Sequence, residues 1–438
     1  FIERKLAARH LRDGAKVFYD VSSSSYYGAH CPLAVRGYNR DGLKLPSIVY
    51  GLLTDYEGRP IAVQAHPGNT ADPATVPDQT KKLINDFSVG RFVMVGDRGM
   101  LTEAQINLLR KNSGCGWISC LRTHDIRTLL EAQDPSDTPL FSVKNLAEIT
   151  HPDYPGERLI ACFNQFLADD RGRTRTELLA ATEKLLEKLQ VAVTRRSAKP
   201  MTASEIGLKA GRVINKYRVA KHFALEIADN SFTWHRKEES IVREAALDGI
   251  YVVRTSEAEQ DLSAEDAVRA YKRLNNVERA FRTFKGVDLR IRPIYHHLEE
   301  RVKAHVLLCM LAYYVEWHMR QALSSLLYAE EELEFERTLR DPVAKAEPSA
   351  NMRQKRLTKK SQDGLQLRRW DGLLIALQAI VRNTFTIGEG ETEISITRDT
   401  EPNRFQSRVF ELLNADAPYW PSKCVASNRN CKSSHETT

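Results

Sequence analysis

Between residues 15 and 122 the chain alternates short apolar runs with polar breaks in an order that few folds accept. AKVFYDV (15–21), SIVYGLLT (47–54) and PIAVQAH (60–66) read as strands, and Asp55, Tyr56, Glu57 and Gly58 join the last two as a hairpin-type connection. Ser22 to Ser25 read as a polar turn after the first strand. GNTADP (68–73) punctuates the chain, and Asp72 or Thr70 is placed to cap a helix over 73–87 with proline in its first turn. RFVMVGDRGM is an apolar run of the fully buried kind that ends at Asp97. Thr102 and Gln105 open another helix, to about residue 112, and WISCLR (117–122) is a fifth strand.

Strand, strand, strand, helix, strand, helix, strand is the order of an α/β ribonuclease-H-like mixed sheet, an antiparallel hairpin portion followed by parallel additions. In that fold the first and fourth strands lie side by side, so Asp20 and Asp97 become neighbours and a late helix brings a third acid. The helix does not come at once. Residues 123–260 read as an inserted α+β subdomain with a charged helix (RTRTELLAATEKLLEKL), a basic stretch (Lys209, Arg212, Lys216, Arg218, Lys221) and strands FALEIADNSFTWHR and GIYVVRTS. The expected organisation is therefore a first catalytic part over 1–122, the insertion over 123–260 and the last catalytic part over 261–328. A charged linker, a helical C-terminal region and a disordered tail fill 329–438. Within that stretch 330–366, acidic and then basic, reads as a surface-exposed or flexible connection.

The late helix is YKRLNNVERAFRTFK, residues 271–285, expected as one helix with Ser263 capping its start. At about 100° per residue, Tyr271, Leu274, Glu278 and Lys285 fall within roughly 60° of one another. A carboxylate beside a lysine and a tyrosine, on a helix rich in arginine, suits a site that holds a metal and grips phosphate. Asp20, Asp97 and Glu278 are the candidate catalytic and metal-binding set. Hard Mg²⁺ prefers carboxylate oxygens, and paired ions about 3.5–4 Å apart are how such sites cut a nucleic-acid backbone. Tyr271, Lys285, Arg279 and Arg282 are the candidate contacts to DNA phosphate. Trp234 reads as a core residue of a strand, the alternative being a stacking platform for a base. His296, His297, Glu300 and His305 lack the H-E-x-x-H spacing of a zinc site.

The balance of 64 Lys+Arg against 57 Asp+Glu gives a formal charge of +7, which permits nucleic-acid binding without requiring it. Seven cysteines without a CxxC pair argue against a disulfide framework or a zinc ribbon and fit a reducing cytoplasm. The longest apolar run, 304–314, is too short to span a bilayer. No P-loop, dinucleotide fingerprint or deaminase pattern occurs. The start at Phe1 reads as a chain lying inside a longer protein or following processing.

DVSSSSYYG at the first acid, VGDRGM at the second and YKRLNNVERAFRTFK at the third resemble a DDE transposase of a bacterial insertion sequence. The similar group carries a β-rich insertion between the second and third acids. It also carries a Tyr, Arg, Glu, Lys signature at successive spacings of three, four and seven. Tyr271, Glu278 and Lys285 match it, while Leu274 stands where the family keeps arginine. The resemblance covers roughly residues 10–325. It implies cleavage at transposon ends by two Mg²⁺ ions, with Mn²⁺ able to substitute, and transfer of the freed strand into target DNA. The implied partners are terminal inverted repeats, target DNA and a second copy of the chain in the DNA complex, with no membrane. Two rivals stay open: a ribonuclease-H-like nuclease without strand transfer, and a catalytically silent, transposase-derived DNA-binding protein, which Leu274 favours.

Overall fold

The computed structural model describes residues 1–131, 145–195, 200–286, 289–388 and 394–414. It forms two compact units, one of Phe1–Leu311 with Arg340–Lys345, the other of Ala312–Leu339 with the described residues from Ala346 onward.

The first unit begins with helix α1 (Ile2–His10) and strands β1 (Ala15–Ser25), β2 (Ser47–Thr54) and β3 (Pro60–Pro67). A 3₁₀ turn at Asp72–Thr75 leads into α2 (Val76–Lys81) and a π-type turn at Lys82–Asp86, so the expected helix over 73–87 exists but is irregular. Then come β4 (Phe92–Val95), α3 (Glu103–Arg110), β5 (Cys115–Cys120) and α4 (Thr123–Glu131). Next are β6 (Leu146–Ile149), β7 (Arg158–Phe163), α5 (Gln165–Thr194) and α6 (Ala203–Lys216). After them come β8 (Phe223–Ala228), β9 (Ser231–Arg236), α7 (Glu238–Ala245), β10 (Ile250–Thr255), α8 (Ala264–Lys272) and α9 (Leu274–Phe284). Helix α10 (Glu299–Ala322) carries residues of both units.

Eight strands form one sheet in the order β3-β2-β1-β4-β5-β10-β7-β6. β1 pairs antiparallel with β2 and parallel with β4, and β4 runs parallel to β5. Mixed pairing with helices on the sheet is consistent with a ribonuclease-H-like transposase fold. One face is covered by a core that joins Val17, Tyr19 and Val21 to Leu83, Phe92, Met94, Ile106 and Leu109. Over the other face, α9 packs on β1 and β2, and α8 on β5 and β10.

Residues 123–260 divide in two. β6, β7 and β10 pair onto the sheet beyond β5. The hairpin β8–β9 packs with α5 and α6 around a separate core of Leu186, Ile206, Phe223 and Phe232. Trp234 packs into that core with its ring 5.9 Å from Phe223.

Two local readings are corrected. Ser22–Ser25 do not turn. They continue β1 opposite Tyr50 to Ser47, with Ser23, Ser24 and Ser25 fully buried. Burial is possible because each hydroxyl finds a partner: the Arg40 N–H at Ser23, the Tyr50 hydroxyl at Ser24 and the Asn39 amide at Ser25. The helix expected over 271–285 breaks at Arg273, where ψ is −10°. Its buried guanidinium lies 3.6 Å from the Tyr56 ring centroid and donates to the Tyr56 carbonyl.

The second unit is mostly helical. There α11 (Leu333–Leu339), α12 (Ala350–Thr358), α13 (Trp370–Gln378), β11 (Arg382–Ile387), β12 (Ile394–Asp399) and α14 (Arg404–Leu412) follow in order. Within the stretch expected as a surface-exposed or flexible connection, 330–366, α11 and α12 are helical and most side chains are exposed or half-exposed. Lys355 is its anchor: 4% exposed, it donates to the carbonyls of Ser324, Leu327 and Ala329 and pairs with Glu331 at 2.7 Å. The tail expected to be disordered lies outside the described residues.

Candidate active site

Asp20 and Asp97 come together because β1 and β4 are parallel neighbours. Phe18 stands opposite Val95, so each aspartate lies two residues beyond a paired position. Asp20 shares a sheet face with Ser22, whose partner Tyr50 touches Phe281 of α9, so the acid points toward the α9 side.

Burial pushes the Asp20 carboxyl up to about 7, the Val21 N–H opposes this, and the charge of Asp97 adds to the rise. Arg40 lowers it and Asp72 raises it, the two being ion-paired with each other. Asp97 itself is exposed and accepts the N–H groups of Gly99 (3.0 Å) and Met100 (2.6 Å), which fixes its rotamer at the strand end.

Tyr271 is half-buried at the end of α8. Its hydroxyl reaches Cys120 and lies in the field of Asp97 and Arg98. Burial raises its pKa, and burial likewise pushes the Cys120 thiol up to about 12. Arg98 therefore stands beside both Tyr271 and Cys120.

Glu278 sits on α9, exposed, its carboxylate 3.3 Å from Arg282 one turn on. Arg282 and Arg279 are exposed on the same helix. The helix is held by its other side, where Val277, Ala280, Phe281 and Phe284 are buried. Among the described residues no three His, Cys, Asp or Glu side chains stand close enough to share a metal ion. Asp20 and Asp97 are brought together, and Glu278 does not join them in one ligand set. A half-buried carboxyl raised by desolvation and by a second carboxylate nonetheless fits a divalent cation, which would relieve both effects.

Lys285 is more engaged than its spacing suggested. Its ammonium donates to the Ser23 carbonyl at 2.7 Å and to Asp41 at 3.2 Å. The histidines are spent elsewhere: His305 on the Ile291 carbonyl and His297 on that of His30. Cys31, Cys115, Cys120, Cys162 and Cys309 are free thiols.

A family model described as "Transposase DDE domain" matches residues 19–315, about two thirds of the chain. The chain belongs to this family. No curated protein matches it. Membership makes it a DDE-type insertion-sequence transposase and implies that it binds DNA. The matched span opens one residue before Asp20 and takes in Asp97, Tyr271, Glu278 and Lys285. Among the described residues no helix of this transposase is long and apolar enough to cross a membrane.

Proposed function

We propose that the chain cuts the DNA backbone at transposon ends and joins the freed 3′ end to target DNA, with Asp20, Asp97 and Glu278 as the catalytic carboxylates. The observation that carries this reading is the half-buried Asp20 beside Asp97 on adjacent parallel strands, with the Asp20 carboxyl lifted to about 7. Such a pair is poised to exchange a proton for a divalent ion. Asp20 and Asp97 would hold the ion, and Glu278 would complete the set when α9 presents it. A bound Mg²⁺ supplies activation of the attacking oxygen and stabilisation of the leaving one.

The chain's own residues do the rest. The backbone N–H groups of Gly99 and Met100 keep the Asp97 carboxylate aimed. Arg279 and Arg282 offer charge to phosphates along the exposed side of α9, Tyr271 borders Asp97, and Lys285 stands farther along β1 beside Ser23 and Asp41. Two transposon ends would be paired by two copies of the chain.

A second reading, a DNA-binding protein that does not cut, is favoured by the pairing of Glu278 with Arg282 rather than with the aspartates. The deciding assay incubates the protein and Mg²⁺ with a duplex bearing the inverted repeats that bracket its coding region. Nicking lost in Asp97→Ala and Glu278→Ala supports the assignment, and cleavage that survives both removes it. Transfer of a pre-cut end into plasmid DNA separates a transposase from a nuclease.

A further inference from the structure

Asp41 closes a set of donors that a phosphate would otherwise take. Its Oδ2 accepts the Ser25 N–H at 2.9 Å, and its Oδ1 accepts Lys285 Nζ at 3.2 Å and Arg292 Nη1 at 2.7 Å. The side chain is 5% exposed. Donors from three separate stretches thus converge on one anion, and two of them are cations. Burial works against the Asp41 charge, but the Ser25 N–H, Lys285 and Arg292 together hold its carboxyl below the usual range. For Lys285 the sign is reversed: burial lowers its pKa, and Asp41 opposes the fall.

Arginine and lysine donors grip carboxylate and phosphate oxygens alike. We infer that Lys285, Arg292 and the Ser25 N–H form a binding site for a DNA backbone phosphate, filled in the free protein by Asp41 as an internal anion. The inference rests on reading the chain as a DNA-cutting transposase. Ser25 lies five residues beyond Asp20 on β1, roughly 17 Å along the strand. The site therefore positions the flanking backbone and not the reacting phosphate.

The local structure allows the exchange. Asn39 and Arg40 are pinned to β1 through the hydroxyls of Ser25 (3.0 Å) and Ser23 (3.1 Å), so the stretch before Asp41 stays in place. Gly42, Leu43 and Lys44 are exposed. Gly42 has φ +74° with nothing around the position of a Cβ. The Asp41 side chain can swing toward solvent by a rearrangement confined to 41–44, leaving the core packed.

The test is Asp41→Asn, which keeps shape and an acceptor for Ser25 but removes the anion. Binding of a fluorescent 20-base-pair duplex is followed by anisotropy from 50 to 200 mM KCl. The variant is expected to bind several-fold tighter than wild type. Its log K should fall more steeply with log salt, by about 1–2, since each phosphate neutralised contributes about 0.9. Adding Lys285→Gln should abolish the gain. Equal or weaker binding by a folded Asp41→Asn overturns the proposal, because Asp41 would then hold the cations in position. A gain that survives Lys285→Gln overturns it as well. If the variant does not fold, hydrogen exchange on the wild type decides: DNA should speed exchange over 41–44, and unchanged or slower exchange refutes the exchange of anions. A wild type that binds the duplex at no salt concentration refutes the transposase reading itself, a result distinct from all of these.

Discussion

Replacing Asp20 by asparagine should make the metal-free protein more stable, and more so the higher the pH. A carboxyl whose pKa is raised on folding contributes stability that is present below its unfolded value and lost as pH rises through its folded value. For Asp20 those limits are 3.8 and about 7. The wild type thus loses stability between about pH 4 and pH 8, while Asp20→Asn, which cannot ionise, does not. At about 1.4 kcal/mol per pH unit the span corresponds to an upper bound of about 4 kcal/mol at pH 8. Urea unfolding of both proteins in EDTA at pH 5, 6, 7 and 8 measures it. The gap between their midpoints should widen across the series, with most of the change complete by pH 8. Mg²⁺ at pH 8 should then stabilise the wild type by mass action and leave Asp20→Asn nearly unmoved. A gap that stays flat with pH would refute the reasoning, because it would place the Asp20 carboxylate in a solvated or compensated environment.

Two further outcomes concern buried charge. Glu157 is fully buried and holds Arg254 through two hydrogen bonds of 2.6 Å, with Arg110 at 3.0 Å. Glu157→Ala should cost the first unit about 3–5 kcal/mol in urea unfolding, and a loss under about 1 kcal/mol would contradict it. Lys355→Met strips three carbonyls and Glu331 of their donor, so the second unit should melt as a separate, lower-temperature calorimetric transition, about 3 kcal/mol weaker; a single unshifted transition would show that water replaces the ammonium.

The parts legible in sequence were those set by local patterning. β1 to β5 declare themselves as apolar runs, and the pairing of β1 with β4 that joins Asp20 to Asp97 follows from their order. What stayed hidden depends on partners far along the chain. A serine run looks like a turn until Asn39, Arg40 and Tyr50 are seen to satisfy its hydroxyls. Asp41, inside Asn39-Arg40-Asp41-Gly42, reads as a turn residue, and its two cationic partners lie more than 240 positions away. GIYVVRTS and FALEIADNSFTWHR look alike as strand formers, yet the first pairs with β5 and the second makes its own hairpin. Period alone could not foresee the break at Arg273, because Tyr56 sits across the sheet.

The covering of β1 and β2 by α9 also sets a timetable for the nascent chain. β5 ends at Cys120 and α9 begins at Leu274. About 150 residues must be made between them, roughly 8–30 s of synthesis at 5–20 residues per second. Throughout that interval Phe18, Tyr50 and Leu52 lack the helix that seals them. A ribosome-bound chain therefore carries an exposed apolar sheet that chaperones can hold until α9 has emerged.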